Sequence, residues 1–273
     1  MGAAAAGRAA VAWAGLVAGA GAALPSSAKA SAPLCQRQPA RGSAAVRCTG
    51  RRTAGALGAV VKARGRGRRE ELAQAVHQLQ NAEQFLAFVD DNYRDWSGIE
   101  AHSCFCHLGK LRNIAITDLA HRPAFSNLLG LVSDLISQGR IDAQGLREVL
   151  LTAAHLKGSQ SMLQPLVRRC AEGLAVPALS GRLGIADLGN SAWALGKFQE
   201  RHLGALRSIS QAALRRLGDF EARHLCKLAW AYATLGVEDP YLFHRLGAEA
   251  VRRCHEFPAR DLSGLVWSFA RLE

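Results

Sequence analysis

The sequence predicts an all-α fold: an α-solenoid of tandem helix-turn-helix repeats with a 37-residue period, preceded by a disordered targeting leader. Three observations carry the prediction. Trp193, Trp230 and Trp267 recur at intervals of 37 residues. The segments around them place apolar residues at helical spacing, with no alternation of period two. Residues 1–69 hold twelve Arg or Lys and no Asp or Glu, which is the composition of an address rather than of a domain.

The leader has two parts. Ala9 to Leu24 is an apolar, Ala/Gly-rich stretch behind Arg8, and Ala28-Lys29-Ala30 has the small-residue form of a cleavage site, so residues 1–30 read as signal-like. That stretch is too short and too weakly hydrophobic for a bilayer span, and no membrane span is expected in the mature protein. Residues 31–69, rich in Ser, Ala, Gly and Arg, read as transit-like. The pair resembles the bipartite leaders of proteins sent to plastids bounded by extra membranes. A mitochondrial presequence is the alternative, although such segments usually spread Arg along an amphipathic helix and Arg8 is the one charged side chain in the first 28 residues. The expected destination is the plastid stroma or the mitochondrial matrix. A disordered basic tail that binds nucleic acid by itself is the other reading.

The formal net charge of +12 sits almost wholly in this leader. The rest of the chain is neutral overall, so the high pI does not by itself assign a nucleic-acid or membrane partner to the folded part. An apolar fraction of 49% is enough to bury a core. Seven cysteines, an odd number without a dense framework, fit a reducing compartment.

Residues 70–180 read as degenerate repeats behind an N-terminal cap. Residues 70–93 form the atypical helical cap, joined through a turn at Asp90-Asp91 to a unit beginning near Trp96. Phe105 to Leu111 marks a first helix, and Phe125, Leu128, Leu129, Val132 and Leu135 mark its partner. Leu146 to Leu156, with Leu151 in the tryptophan position, and Leu163 to Cys170, with Arg168-Arg169, make the next pair. Cys104 and Cys106 stand between His102 and His107, but the Cys-x-Cys spacing is tighter than a usual zinc pair and no second pair follows. The expectation is a cysteine-rich buried helix with no metal and no cofactor.

Residues 181–273 hold the regular repeats. DLGNSAWALGKF, HLCKLAWAYATL and DLSGLVWSFARL begin at Asp187, His224 and Asp261 and align without a gap. Leu188, Leu225 and Leu262 precede the tryptophans by five residues, and Phe198, Leu235 and Leu272 follow by five; together with Trp193, Trp230 and Trp267 these are the expected repeat core. A second block matches Leu206 to Phe243, Ile209 to Leu246 and Arg215-Arg216 to Arg252-Arg253, so each unit has two helices. Asp187 and Asp261 are expected N-caps, with His224 in that place in the middle unit. Gly236 to Pro240 reads as a helix stop followed by a Pro-initiated helix. The sequence stops at Glu273 after the first helix of a unit, and the array is expected to be incomplete at its C-terminus, the alternative being an apolar end face that docks on a partner.

A Leu five residues before Trp-Ala, then Leu or Phe five further on, resembles the octotricopeptide and heptatricopeptide repeat proteins and the leucine-rich helical region of FAST kinase-like proteins. The resemblance covers residues 187–273 well and 96–180 faintly. It implies an organelle RNA-binding protein acting in RNA processing, rRNA maturation or mRNA stability. Single-stranded organelle RNA is the implied partner, with ribosomal or RNP-granule proteins beside it. Many such proteins end in a RAP domain, and none is visible here.

The resemblance implies that RNA lies along the first helices, and helical spacing then selects polar positions off the apolar stripe: Arg223, Lys227 and Thr234, with Asn190, Lys197, Arg260 and Arg271 at equivalent points. The other reading is an ordinary solvated face. The tryptophans are expected in the core rather than as base-stacking platforms, and the Arg pairs at helix dipoles rather than on phosphates. No phosphate-binding loop, nucleophile elbow or zincin-type His pair is present, and no kinase signature. The expected function is non-enzymatic, with a protein-protein scaffold of an organelle complex or ribosome as the alternative.

Overall fold

A computed structural model describes residues 74–92, 96, 98–111, 119–156, 161–176 and 180–272; the leader lies outside them. Among the described residues every regular element is helical and there is no strand. The α-helices are α1 (Ala82–Asn92), α2 (Gly98–Leu108), α3 (Pro123–Ser137), α4 (Ala143–His155) and α5 (Gln164–Leu174), then α6 (Ile185–Lys197), α7 (Leu203–Leu214), α8 (Ala222–Leu235), α9 (Pro240–Arg252) and α10 (Ala259–Arg271). Within the described residues no helix is long and apolar enough to cross a membrane.

The helices form two rows. In one, α2, α4, α6, α8 and α10 each pack on the next; in the other, α3, α5, α7 and α9 do the same, and the pairs α2/α3, α4/α5, α6/α7 and α8/α9 face each other across a continuous core. Helices α2 to α9 each pack on two or three neighbours, which is where a short helix gains most of its stability. Leu188, Phe198, Leu225 and Leu235 are buried in that core. Leu262 on α10 and Leu272 at its C-cap are half-buried.

The tryptophans depart from the expected core. Trp193 and Trp230 are half-buried against it, and Trp267 is 45% exposed. The five-residue offset from the core leucines turns the rings toward the preceding first helix rather than toward the row behind. A methyl group on Gly196 of α6 would meet the Trp230 ring at 3.0 Å, and one on Gly189 would meet the His224 carbonyl oxygen at 3.0 Å. The missing side chains at these two glycines let α6 and α8 close together.

The helix starts also differ from expectation. Asp187, His224 and Asp261 stand inside the first turns, while the N-cap positions are Gly184, Glu221 and Pro258. None of the three makes a side-chain capping bond. Asp187 instead offers its charge to the positive end of α6 and lies 3.3 Å from Arg147 of α4. At α1 the expected turn is absent, because Asp90 and Asp91 are helical and the stripe Phe85, Leu86, Phe88, Val89 runs past them to Asn92.

The connector from α8 to α9 follows the sequence reading. Gly236 is left-handed at φ 59°, the Val237 N–H donates to the Tyr232 carbonyl at 3.0 Å, and Asp239 accepts from the Leu242 N–H at 3.0 Å ahead of Pro240. After α6 the same turn is made by Gln199 at φ 54°, with Glu200 N–H donating to the Leu195 carbonyl at 3.0 Å.

Arginines then tie the rows together. Arg216 donates to the Leu183 carbonyl at 2.8 Å and Arg253 to the Phe220 carbonyl at 2.8 Å. Both carbonyls lie in the approach to the first helix of the same pair, and the arginines also stand at the C-terminal ends of α7 and α9. Arg168 and Arg169 lie in the middle of α5, not at its end, and Arg168 is 3.6 Å from the buried Glu200 carboxylate.

Candidate nucleic-acid interface

The row of first helices presents polar side chains along its outer edge, and one cluster there is well defined. Asn190, Trp193 and Lys197 stand at i, i+3 and i+7 on α6 and share a face. Lys227 of α8 holds the position equivalent to Asn190 one unit later and reaches back to it, donating to Asn190 Oδ1 at 2.6 Å. Lys197 reaches back in turn and donates to the Ala154 carbonyl of α4. Both ammonium groups thus converge on one indole, with Lys197 Nζ 5.4 Å and Lys227 Nζ 5.7 Å from the Trp193 ring centroid. Contacts at this distance are the cation–π range. The His155 ring at the end of α4 completes the cluster, 5.9 Å from the indole and tilted by 42°.

The electrostatics are one-sided. Partial burial, then the Lys197 and Lys227 charges, pulls His155 below its ordinary value. Partial burial, then Arg223, pulls Lys227 down as well, against a smaller opposite pull from Asp261. Two cations and an imidazole held from protonation make a place where an incoming anion gains and another cation loses. A half-buried aromatic face lies between them.

The remaining positions selected from the sequence are not drawn into this cluster. Arg223 is exposed and pairs with Glu221 at 2.8 Å. Arg260 and Arg271 are exposed on α10, beside the exposed Trp267. Thr234 is in the same angular sector as Lys227, but its hydroxyl is covered and has no hydrogen-bond partner, so a base edge has no access to it. His155 was missed by the sequence reading. It ends α4 within the Leu146–Leu156 segment, where Leu151 rather than a tryptophan stands, so no repeated residue pointed to it.

Comparison of the chain with protein-family models and with curated proteins gives no match.

Proposed function

We propose that the chain is a non-enzymatic RNA-binding α-solenoid with a 37-residue repeat that works on single-stranded RNA inside a plastid or mitochondrion. The observation that carries this reading is the convergence of Lys197 and Lys227 on Trp193, with Asn190 and His155 beside them. Ammonium groups meet phosphates, the indole offers a face on which a base stacks, and Asn190 offers a donor and an acceptor for a base edge. The repeat reading is supported by α6, α8 and α10 beginning 37 residues apart, at Ile185, Ala222 and Ala259. It is supported too by the Arg216 and Arg253 ties, which recur at the same interval. A stack of such units lines up equivalent positions along one edge, as an extended strand requires. The organelle destination rests on the composition of residues 1–69 and on the family resemblance.

The test is RNA binding by the full chain across a salt series, beside a Lys197→Ala/Lys227→Ala double variant and a Trp193→Ala variant. The leader is common to all three, so a difference between them reports on the cluster. For a single strand each phosphate contact contributes about 0.7 to the slope of log K against log salt, so the double variant should lose about 1.4. Trp193→Ala should weaken binding by about 1–3 kcal/mol while leaving the slope nearly unchanged. Equal affinity and slope in wild type and variants, all of them folded, would sink the RNA reading for this site. The neutral charge of the chain beyond Arg69 favours the scaffold alternative in that event, with the exposed Trp267 and Val266 of α10 as apolar contact points.

A further inference from the structure

The Cys-x-Cys segment of α2 separates into two faces. Cys104 is fully buried in the core, and His107 on the same side is buried with its Nε2 3.4 Å from the Leu79 carbonyl. His102 and Cys106, one turn apart, face the other way and are half-buried against α4. His102 Nε2 is 3.5 Å from Cys106 Sγ. Glu148 of α4 brings a carboxylate to the pair, and one ligating atom from each of the three lies within 4.8 Å of the others.

We propose that His102, Cys106 and Glu148 form a site for a divalent transition-metal cation of the zinc class. The donor set is one imidazole nitrogen, one thiolate sulfur and one carboxylate oxygen, the mixture that a borderline-soft cation takes and that magnesium or calcium does not. The spacing fits as well. Bonds of about 2.3 Å to sulfur and about 2.0 Å to nitrogen, opened at a tetrahedral angle, put the two atoms about 3.5 Å apart. The two residues are held at that separation by the helix itself, being i and i+4 on one face. Gly145 leaves the nitrogen room, since a methyl group there would stand 3.1 Å from His102 Nε2. Ligation through Nε2 puts the imidazole proton on Nδ1 and gives up the long 3.3 Å contact of Nε2 with the Gly145 carbonyl.

Two cations lie near, Lys110 and Arg147, and they oppose a further positive charge. Arg147 has a second acidic partner, however. It is 3.4 Å from Glu148 and 3.3 Å from Asp187, so it retains an ion pair when Glu148 turns to the metal. With three protein ligands the fourth position is open to water, and the bound ion would clip α2 to α4 across the row of first helices. The sequence expectation of no metal rested on the Cys-x-Cys spacing, and this site uses one cysteine of that pair with residues the spacing rule does not examine.

The experiment is a cobalt(II) titration of the reduced full chain, followed by its thiolate-to-cobalt charge-transfer absorption and by competition with zinc. The expected result is a one-to-one band that zinc displaces. Cys106→Ser should abolish it, and His102→Gln and Glu148→Gln should each weaken cobalt binding tenfold or more. Cys254→Ser, a change at an exposed cysteine outside the site, should leave it intact. Zinc should also raise the melting temperature of the wild type and not that of Cys106→Ser, with circular dichroism confirming that each variant is folded. A folded wild type with no band at saturating cobalt overturns the proposal, and so does a band that survives Cys106→Ser.

Discussion

Protonation at single residues sets how this fold responds to pH. Burial, as the largest cause in each case, pulls His107, His155 and His224 below their ordinary values, so the folded chain holds all three more weakly protonated than the unfolded chain does. An unfolded state that binds more protons gains on acidification, and stability should therefore be full above the unfolded value and decline as pH falls through about 6.5. A urea midpoint measured between pH 7.5 and pH 5 should fall on the acid side, and His224→Gln should flatten that decline. A midpoint that does not move would mean that the three imidazoles titrate normally. At the cluster proposed above to bind RNA the sign is opposite. A bound phosphate favours the charged imidazole, so affinity for RNA should rise as pH drops toward 6, and His155→Ala should remove that rise. Thiol reactivity is ordered by the same physics. Burial, as the first cause, pushes the Cys106 and Cys226 thiols up to about 12 and lifts Cys104 and Cys170 further. Among the described cysteines, Cys254 is exposed. Mass mapping of brief alkylation should find Cys254 modified well before the other four.

Individual helices and turns carry predictions of opposite sign for one kind of substitution. Gly196→Ala should destabilise by about 1–3 kcal/mol, because the added methyl group meets both the Trp230 ring and the Ala231 backbone. Gly130→Ala, in α3 with open space at its Cα, should instead stabilise by about 0.5–1 kcal/mol through helix propensity. At the end of α6, Gln199→Gly should stabilise by up to about 1 kcal/mol, since Gln199 holds a left-handed conformation that glycine adopts without a Cβ clash. Denaturant midpoints of the three variants check all of these. The same elements show what the sequence made legible. Tryptophan spacing located α6, α8 and α10, and the Gly236–Pro240 turn was readable because glycine and proline each announce a backbone geometry. The helix starts were not, because Gly184, Glu221 and Pro258 cap by backbone conformation and offer no bonded side chain as a signal. Nor were the two clusters. Lys227 meets Trp193 from another helix, and Glu148 meets Cys106 from another helix, so neither pairing has a fixed spacing along the chain.

Across the whole molecule, packing is uneven and so should be protection. The first helix α8 lies between α6 and α10 and nearly all its apolar stripe is buried, whereas on α10 Val266 and Trp267 are exposed. Hydrogen exchange should therefore be slowest in the middle of α8 and several orders faster in α10, and uniform protection along the row would contradict this gradient. The Arg216 and Arg253 ties bear on how such a chain can change over time. Each donates its bond to a main-chain carbonyl, at Leu183 and at Phe220, a group that every amino acid supplies. A gene duplication that copies one helix pair delivers the donor and its acceptor together, and neither depends on which side chains the new copy later acquires. The outer edge of a copied unit can then diverge in what it contacts while the fastening of its two helices stays in working order.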